Sequence, residues 1–374
     1  MYKEKVTGPR IMPDRLKDFT TKVFVKMGVT PEDAAIVADV LVAADIRGVR
    51  SHGTARMHLY ITRLEKGIMK PVSEIKVVAE TLATARIDGG AGMGQPISKY
   101  AMNLAMEKAQ NVGAGFVTVF NSNHYGIAGY YAMMALEHDM IGFSMTNASA
   151  ISIPTFGIDG KLGTNPISVA APAGDSYPYV LDMATTITPV GRIEVYERNN
   201  WELPEGWAID EHGQPITEPT QVFETFRKRA SGLTGGLLPL GGAGEMFGGY
   251  KGYGLALLVD ILCGVLSGAG YADNFTRTNP DGSQQFGNIG HFFGALRVDA
   301  FRPIEDFKET MDDLICRIKA TPKAEGQDRI YIHGEKEFEA AADNEKNGVV
   351  LIPPVLESLK DISEKFNVPF DFTG

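Results

Sequence analysis

Cysteine is nearly absent. Cys263 and Cys316 are the only two in 374 residues. They lie far apart with no C-x-x-C, which excludes a disulfide framework and a thiolate zinc site. A basic block is also missing: 36 Lys and Arg stand against 46 Asp and Glu, a net charge of −10. The chain therefore lacks the electrostatic footprint for nucleic acid or an anionic membrane. The opening run, MYKEKVTGPRIMPDR, has no apolar core of a secretory signal, so a cytoplasmic location is expected. The most apolar stretch, 252–270, carries Asp260 and five glycines in 19 residues. It reads as a buried helix and not as a membrane span. Neither H-E-x-x-H nor a pair of histidines four apart occurs, so no metal is expected. No G-x-S-x-G elbow occurs either.

What is present is ordinary for a folded protein: 44% hydrophobic and 22% charged residues, with length for two or three domains. The first 70 residues read as helices. Thr30-Pro31-Glu32-Asp33 offers a capping hydroxyl, a proline at the first helical position and acids in the first turn. Short β-rich runs follow at 75–79, 83–87, 115–120, 141–146, 167–171 and 179–181, with a later one at 291–298. Helical stretches at 97–110 and 129–137 separate them. A Pro/Gly/acid-rich surface excursion covers 201–219, with Trp201 and Trp207 packing it. Helices return at 304–319 and 355–366. The expectation is a β-sheet unit with a helical layer built from both chain ends.

Several polar motifs sit beside these elements. Asp88-Gly89-Gly90-Ala91-Gly92-Met93-Gly94-Gln95 follows a strand and precedes a helix, yet its spacing fails the dinucleotide fingerprint. The next strand ends in Phe120-Asn121, with no acid for a ribose. The loop reads as a tight turn. His52 lies in Arg50-Ser51-His52-Gly53 at a helix break, with Arg47 and Arg56 nearby. An Arg fork with Ser and His hydrogen bonds suits a carboxylate; a solvated polar loop is the plain alternative. His124, in Asn121-Ser122-Asn123-His124-Tyr125-Gly126, opens the loop after an apolar strand, where α/β enzymes place chemistry. Its imidazole suits proton transfer near neutrality, and a helix-start cap is the alternative. Lys251 stands at the glycine-rich start of the apolar helix, a plausible anion clamp.

Taken together and in order, these pieces resemble the malate/L-lactate dehydrogenase family of the second type. The matching segments include DIRGVRSHGTARMHLYITRLEKG (45–67), DGGAGMGQ (88–95), NSNHYGIAGYYA (121–132), GTNPISVAAP (163–172), LDMATT (181–186), GYKGYGLALLVDIL (249–262) and RIYIHGE (329–335). The resemblance implies an α/β (mixed α+β), non-Rossmann dehydrogenase fold. Residues 76–302 would form a mixed β-sheet unit that binds NAD(P) and carries catalysis, and 1–75 with 303–374 the helical domain. It implies hydride transfer between NAD, or NADP as the alternative, and a small 2-hydroxy/2-oxo acid in a homodimer. (S)-malate and oxaloacetate are the expected pair. Sulfolactate, lactate, ureidoglycolate or a cyclic imine acid would use the same chemistry, and a catalytically inactive metabolite-binding relative is the alternative of another class. His124 and His52 are both implied as acid/base candidates. His124 is favoured as the proton acceptor, with His52 and Ser51 orienting the substrate and Arg56 pairing with its carboxylate. Implied cofactor contacts are Asp182, Met183, Ala184, Thr185, Lys251, His333, Gly334 and Glu335, with Ser149 and Asn165 as looser matches. The chain departs from the family at His333-Gly334-Glu335, often written Pro-Gly-Glu, and at Ala148, which precedes Ser149.

Overall fold

The computed structural model describes residues 7–228, 235–278 and 284–371. The helices are α1 (Pro13–Lys26), α2 (Pro31–Ile46), α3 (Met57–Glu65), α4 (Gly94–Val112), α5 (Ala128–Met134), α6 (Val190–Arg198), α7 (Pro219–Lys228), α8 (Gly249–Asp260), α9 (Ile304–Lys319), α10 (Glu335–Asn347) and α11 (Pro353–Phe366). The main sheet has strands β1 (Lys76–Glu80), β2 (Thr84–Asp88), β3 (Ala114–Ser122), β4 (Met140–Thr146), β5 (Ile167–Ala171), β6 (Tyr179–Met183) and β7 (Ile289–Arg297). Their spatial order is β1-β2-β3-β7-β4-β5-β6. Only β2 and β3 run parallel, joined through α4; the other neighbouring pairs are antiparallel. The sheet is mixed, as expected, and it is not the parallel sheet of a Rossmann fold.

The central strand is the last to be made. In β7, Phe293 sits between Val117 of β3 and Ser144 of β4. Valines alternate along β3 so that Val117 and Val119 join Ile87, Phe293 and Ala295 in one core. Against them α4 sets Ile97, Ala101, Met102, Ala105 and Ala109 at helical spacing. The alanines let the helix come close. A Cβ on Gly115 would run into the Ala105 carbonyl, and one on Gly142 into the Ala132 carbonyl.

A second core is built from both chain ends. Leu16, Phe19, Val23 and Phe24 of α1, Val37 and Leu41 of α2, Tyr60 of α3 and Leu359 and Ile362 of α11 are buried together. The α2 start is as read: the Thr30 side chain accepts the Asp33 N–H at 3.2 Å, with Pro31 at the first position. Helix α10, not foreseen, leans on α2, its Asn344 amide donating to the Ile46 carbonyl at 2.8 Å. Helix α9 lies elsewhere. Its Asp312 accepts backbone N–H groups from Gly174, Asp175 and Ser176 in the turn between β5 and β6.

Two expectations need correction. The excursion at 201–219 is more than a surface loop. Leu203, Ala208 and Ile216 form a small core of their own with Ile193 of α6, Val222 of α7 and Leu237. Nor is the apolar stretch 252–270 a buried helix. Val259 and Cys263 pack on Met145 and Ile167, but the opposite face is open, with Ile261 46%, Val265 60% and Leu266 56% exposed. The stretch is apolar all round, and the sheet covers only one side. Among the described residues no helix is long and apolar enough to cross a membrane.

The close approach of α4 to the sheet gives a direct test. Gly115→Ala is expected to lower unfolding stability by about 1–3 kcal/mol through overpacking, read as a fall in the urea midpoint. An unchanged midpoint would mean that α4 can step back freely.

Candidate active site

The cleft of interest opens where the two cores meet, with a volume of about 650 Å³. Its walls come from the 47–63 segment of the helical layer, the turn after β3, the ends of β5 and β6, and the 331–337 turn into α10.

The Ser-His-Gly turn is held from below. Asp45, the buried last-turn acid of α2, accepts both the backbone N–H of Thr54 at 2.8 Å and its hydroxyl at 2.7 Å. Gly53 lies against this carboxylate so closely that any Cβ would overlap it. Burial raises Asp45 to about 6, against the pull of the two Thr54 hydrogen bonds and the Arg50 charge. The turn then presents Ser51, whose hydroxyl lies 2.9 Å from His52 Nδ1. Arg56 Nε donates to the Ser51 carbonyl at 2.5 Å, and its Nη2 lies 3.4 Å from Glu194 of α6.

The β3 turn supplies the second imidazole. Asn121 takes a positive φ of 55°, and Gly126 one of 89°, which together fold the chain back sharply. The Asn123 amide donates to the carbonyls of Ala91 and Gly92, locking this turn to the 88–95 loop. That loop therefore acts as a structural brace, and a Cβ on Gly94 would strike the carbonyls of Asn123 and His124. His124 and His52 stack with ring centroids 5.6 Å apart and planes 20° off parallel. The Tyr60 hydroxyl lies 2.6 Å from His124 Nδ1. It can accept from Nδ1–H, which frees Nε2 to take a proton, or donate to Nδ1, which leaves Nε2–H as a donor.

Both rings are neutral at pH 7. Burial pulls His52 down to about 4, and the Arg56 charge adds to it. Burial pulls His124 well below the ordinary range, with His52, Arg63, Arg56 and His291 pushing the same way. Beneath them His291 of β7 is a third neutral imidazole, lowered to about 3 by burial. Its two nitrogens meet the hydroxyls of Thr146 and Ser122, each at 2.8 Å, and its ring stacks on Tyr125 at 4.6 Å. It ties three strands together under the His124 turn.

Asp182 closes the cleft from β6. Its carboxylate accepts the Gly129 N–H at the start of α5 at 2.7 Å. The surrounding cleft walls raise its carboxyl above the ordinary range, opposed by that bond and by Arg47 and reinforced by Glu337. Arg47 stacks over Phe338 at 4.6 Å.

The fold gathers Ser51, His52, Arg56, His124, Ser149, Asp182, Ala184, His333 and Gly334 on one cleft. It does not gather the others. The Asn165 side chain is buried, donating to the Ala256 carbonyl at 2.9 Å and accepting from Ala148 N at 3.2 Å. Thr185 is buried against the carbonyls of Thr164 and Asn165. Met183 pairs with Ile167 in the sheet, and Lys251 is exposed at the start of α8. Glu335 meets Lys319 and Arg329, each at 2.5 Å, and lines a separate hollow of about 220 Å³. Sequence reading missed Tyr60, Arg63, Asp45, Lys336 and Glu337. For Tyr60 and Arg63 a signal existed: positions four and seven after Arg56 share its helix face.

A neutral imidazole pair, a hydroxyl behind one of them and clustered guanidinium groups are what an α/β enzyme needs to move a proton on a small anion. Known proteins carry this further. The model for "Malate/L-lactate dehydrogenase" matches residues 11–360, and the chain belongs to that family. It is 45% identical over 359 residues to a malate dehydrogenase of Pyrococcus horikoshii, covering 96% of each chain. It is 40% identical over 359 residues to an L-sulfolactate dehydrogenase of Methanocaldococcus jannaschii, covering 96% of this chain and 97% of that one. Among solved structures, malate dehydrogenase from Entamoeba histolytica superposes with a TM-score of 0.92 at 37% identity, covering 98% of this chain and all of the other.

The Asp45 clamp is testable through pH. Asp45→Ala leaves the Thr54 donors unpaired and is expected to cost about 2–4 kcal/mol. A carboxyl whose folded value is raised gives stability that is present at low pH and lost as pH rises through about 6. The wild type gains that contribution on acidification and the variant does not, so the gap in urea stability should widen from pH 7 to pH 5. A constant gap would show that Asp45 does not titrate there.

Proposed function

We propose that this chain is an NAD-linked dehydrogenase of 2-hydroxy/2-oxo acids, with (S)-malate and oxaloacetate as its pair. The observation that carries it is the stack of neutral His52 and His124 beside Arg56 in one cleft. The P. horikoshii relative's name, malate dehydrogenase, supports the choice of substrate. NADP is the alternative cofactor, and sulfolactate, the substrate in the M. jannaschii relative's name, is the alternative substrate.

The residues fit a dinucleotide. The cleft volume falls within the usual range for cofactor sites of about 300–1,000 Å³. Apolar Ile127, Ala128, Ala184 and Val190 line it for a flat ring, and the cations Arg47 and Lys336 line it for phosphates. Ser149, Asp182, Ala184, His333 and Gly334 would hold the cofactor. When bound, it accepts or returns the hydride at the substrate's C2.

The chain does the rest. Arg56 anchors the carboxylate next to C2, and Ser51 with His52 fixes the hydroxyl's direction. In oxidation the hydroxyl proton goes to His124 Nε2 while Tyr60 accepts from Nδ1–H. In reduction the same nitrogen returns it. A ring whose pKa is depressed stays a free base well below pH 6.5, so the base is present across the neutral range.

A homodimer is part of this reading. The open apolar face of α8 and its continuation through Leu266 supplies a surface of the kind that partners cover. The exposed and the buried cysteine, both unpaired, suit the cytoplasm.

Two measurements follow. Purified protein is expected to oxidise NADH at 340 nm with oxaloacetate, and His124→Ala should cut kcat by about 10²–10⁴-fold with NADH affinity retained. Full activity in the variant would move the proton to His52. Second, Leu258→Glu with Val265→Glu should turn a dimer of twice the chain mass into a monomer by light scattering. A wild type that already runs as a monomer removes the dimer.

A further inference from the structure

The cleft holds a cation that no carboxylate answers among the described residues. Arg63 lines it from α3, beside Arg56, Leu59 and His124. Its Nη1 is buried and has no hydrogen-bond partner, and among the described residues no carboxylate lies within ion-pair reach of it. The other arginines are engaged. Arg56 faces Glu194 at 3.4 Å and holds the Ser51 carbonyl. Arg47 feels Glu337 and Asp182. Burial of Arg63 is opposed only by the Tyr60 hydroxyl. A guanidinium taken out of water without a counter-ion costs free energy unless an anion arrives to pair with it.

Its placement says which anion. Arg56 and Arg63 are seven residues apart, two helical turns on one face, so their stems start about 10 Å apart. His124, the acid/base of that reading, lines the same cleft as this segment, and both charges act on it. A 2-hydroxy acid with one acid group, held at Arg56, leaves Arg63 without a counter-ion. A 2-hydroxy acid with an acid group at each end uses both.

Building on the dehydrogenase reading, we infer that Arg63 selects dianionic substrates, binding the acid group distal to C2 while Arg56 takes the one next to it. The distal group is a carboxylate or a sulfonate, since both offer paired oxygens to a planar fork. Monoanionic 2-oxo acids are poor substrates because they leave Arg63, with its buried Nη1, without a counter-ion.

The test compares wild type, Arg63→Gln and Arg63→Lys with oxaloacetate, sulfopyruvate, pyruvate and 2-oxobutyrate under NADH. Wild type is expected to favour both dianions over both monoanions by about 100-fold in kcat/KM, the order of an ion pair left half-made. Arg63→Gln should collapse that ratio to within about threefold of unity, chiefly through KM for the dianions, and Arg63→Lys should recover part of it. A preference for only one of the two dianions names the distal group and keeps the inference. An equal loss on all four acids would place Arg63 at the shared carboxylate or in the fold, and an unchanged ratio would remove it from the substrate; either overturns the inference. Calorimetric binding of (S)-malate and (S)-lactate separates this from the activity itself. Malate should bind wild type at least about tenfold more tightly than lactate, and Arg63→Gln should erase the difference. Silence in turnover with that binding pattern intact would refute the dehydrogenase reading and keep the Arg63 assignment. Equal binding of the two acids by wild type would refute the assignment alone.

Discussion

The Tyr60–His124 hydrogen bond of 2.6 Å joins two separate cores. Tyr60 is fully buried in the helical core made from both chain ends, and His124 stands on the turn that leaves β3. Neither core alone makes a site. The cleft is the seam between them, and the bond fixes how far apart the walls stand and which nitrogen of His124 faces it. The stacking of His52 on His124 follows, because the Asp45 clamp sets the first ring from the helical side while the Asn123 brace sets the second from the sheet side.

The electrostatics of the seam are arranged around neutral bases among cations. Burial and nearby guanidinium groups both favour the uncharged imidazole, so two histidines remain available as proton acceptors where free histidine would be half protonated. Arginine is the suitable cation here. It keeps its charge when buried and presents a planar fork to an acid group. The same charges that lower the histidines would attract the anionic substrate, so one cluster does two jobs.

Close approach of backbone recurs wherever the site is braced. Gly53 against Asp45, Gly94 against the His124 turn and Gly115 against α4 are places where no side chain fits. These glycines lie far apart in sequence, but each sets the distance between two elements that carry or support a functional residue. The apolar outer face of α8 is the opposite case, a surface left open by the described residues.

Much of this was legible in the residues. Short β-rich runs bounded by turn residues marked all seven strands of the main sheet to within a few residues, because strand composition leaves a local trace. The Thr30-Pro31 start of α2 was readable for the same reason: capping is local chemistry. The failed glycine spacing at 88–95 excluded a Rossmann site before any sheet was seen. His52 and His124 stood out by their polar company. What the residues could not show was distance. That β7 inserts between β3 and β4, that Tyr60 reaches His124 and that Asp45 holds Thr54 are all contacts across 9 to about 180 positions of chain. Such contacts are set by how whole elements bury their apolar faces, and that is a property of the packed structure. The sequence determined which segments fold and which side chains can carry charge or a proton; the tertiary structure decided which of them meet, because only packing brings two cores together at one seam.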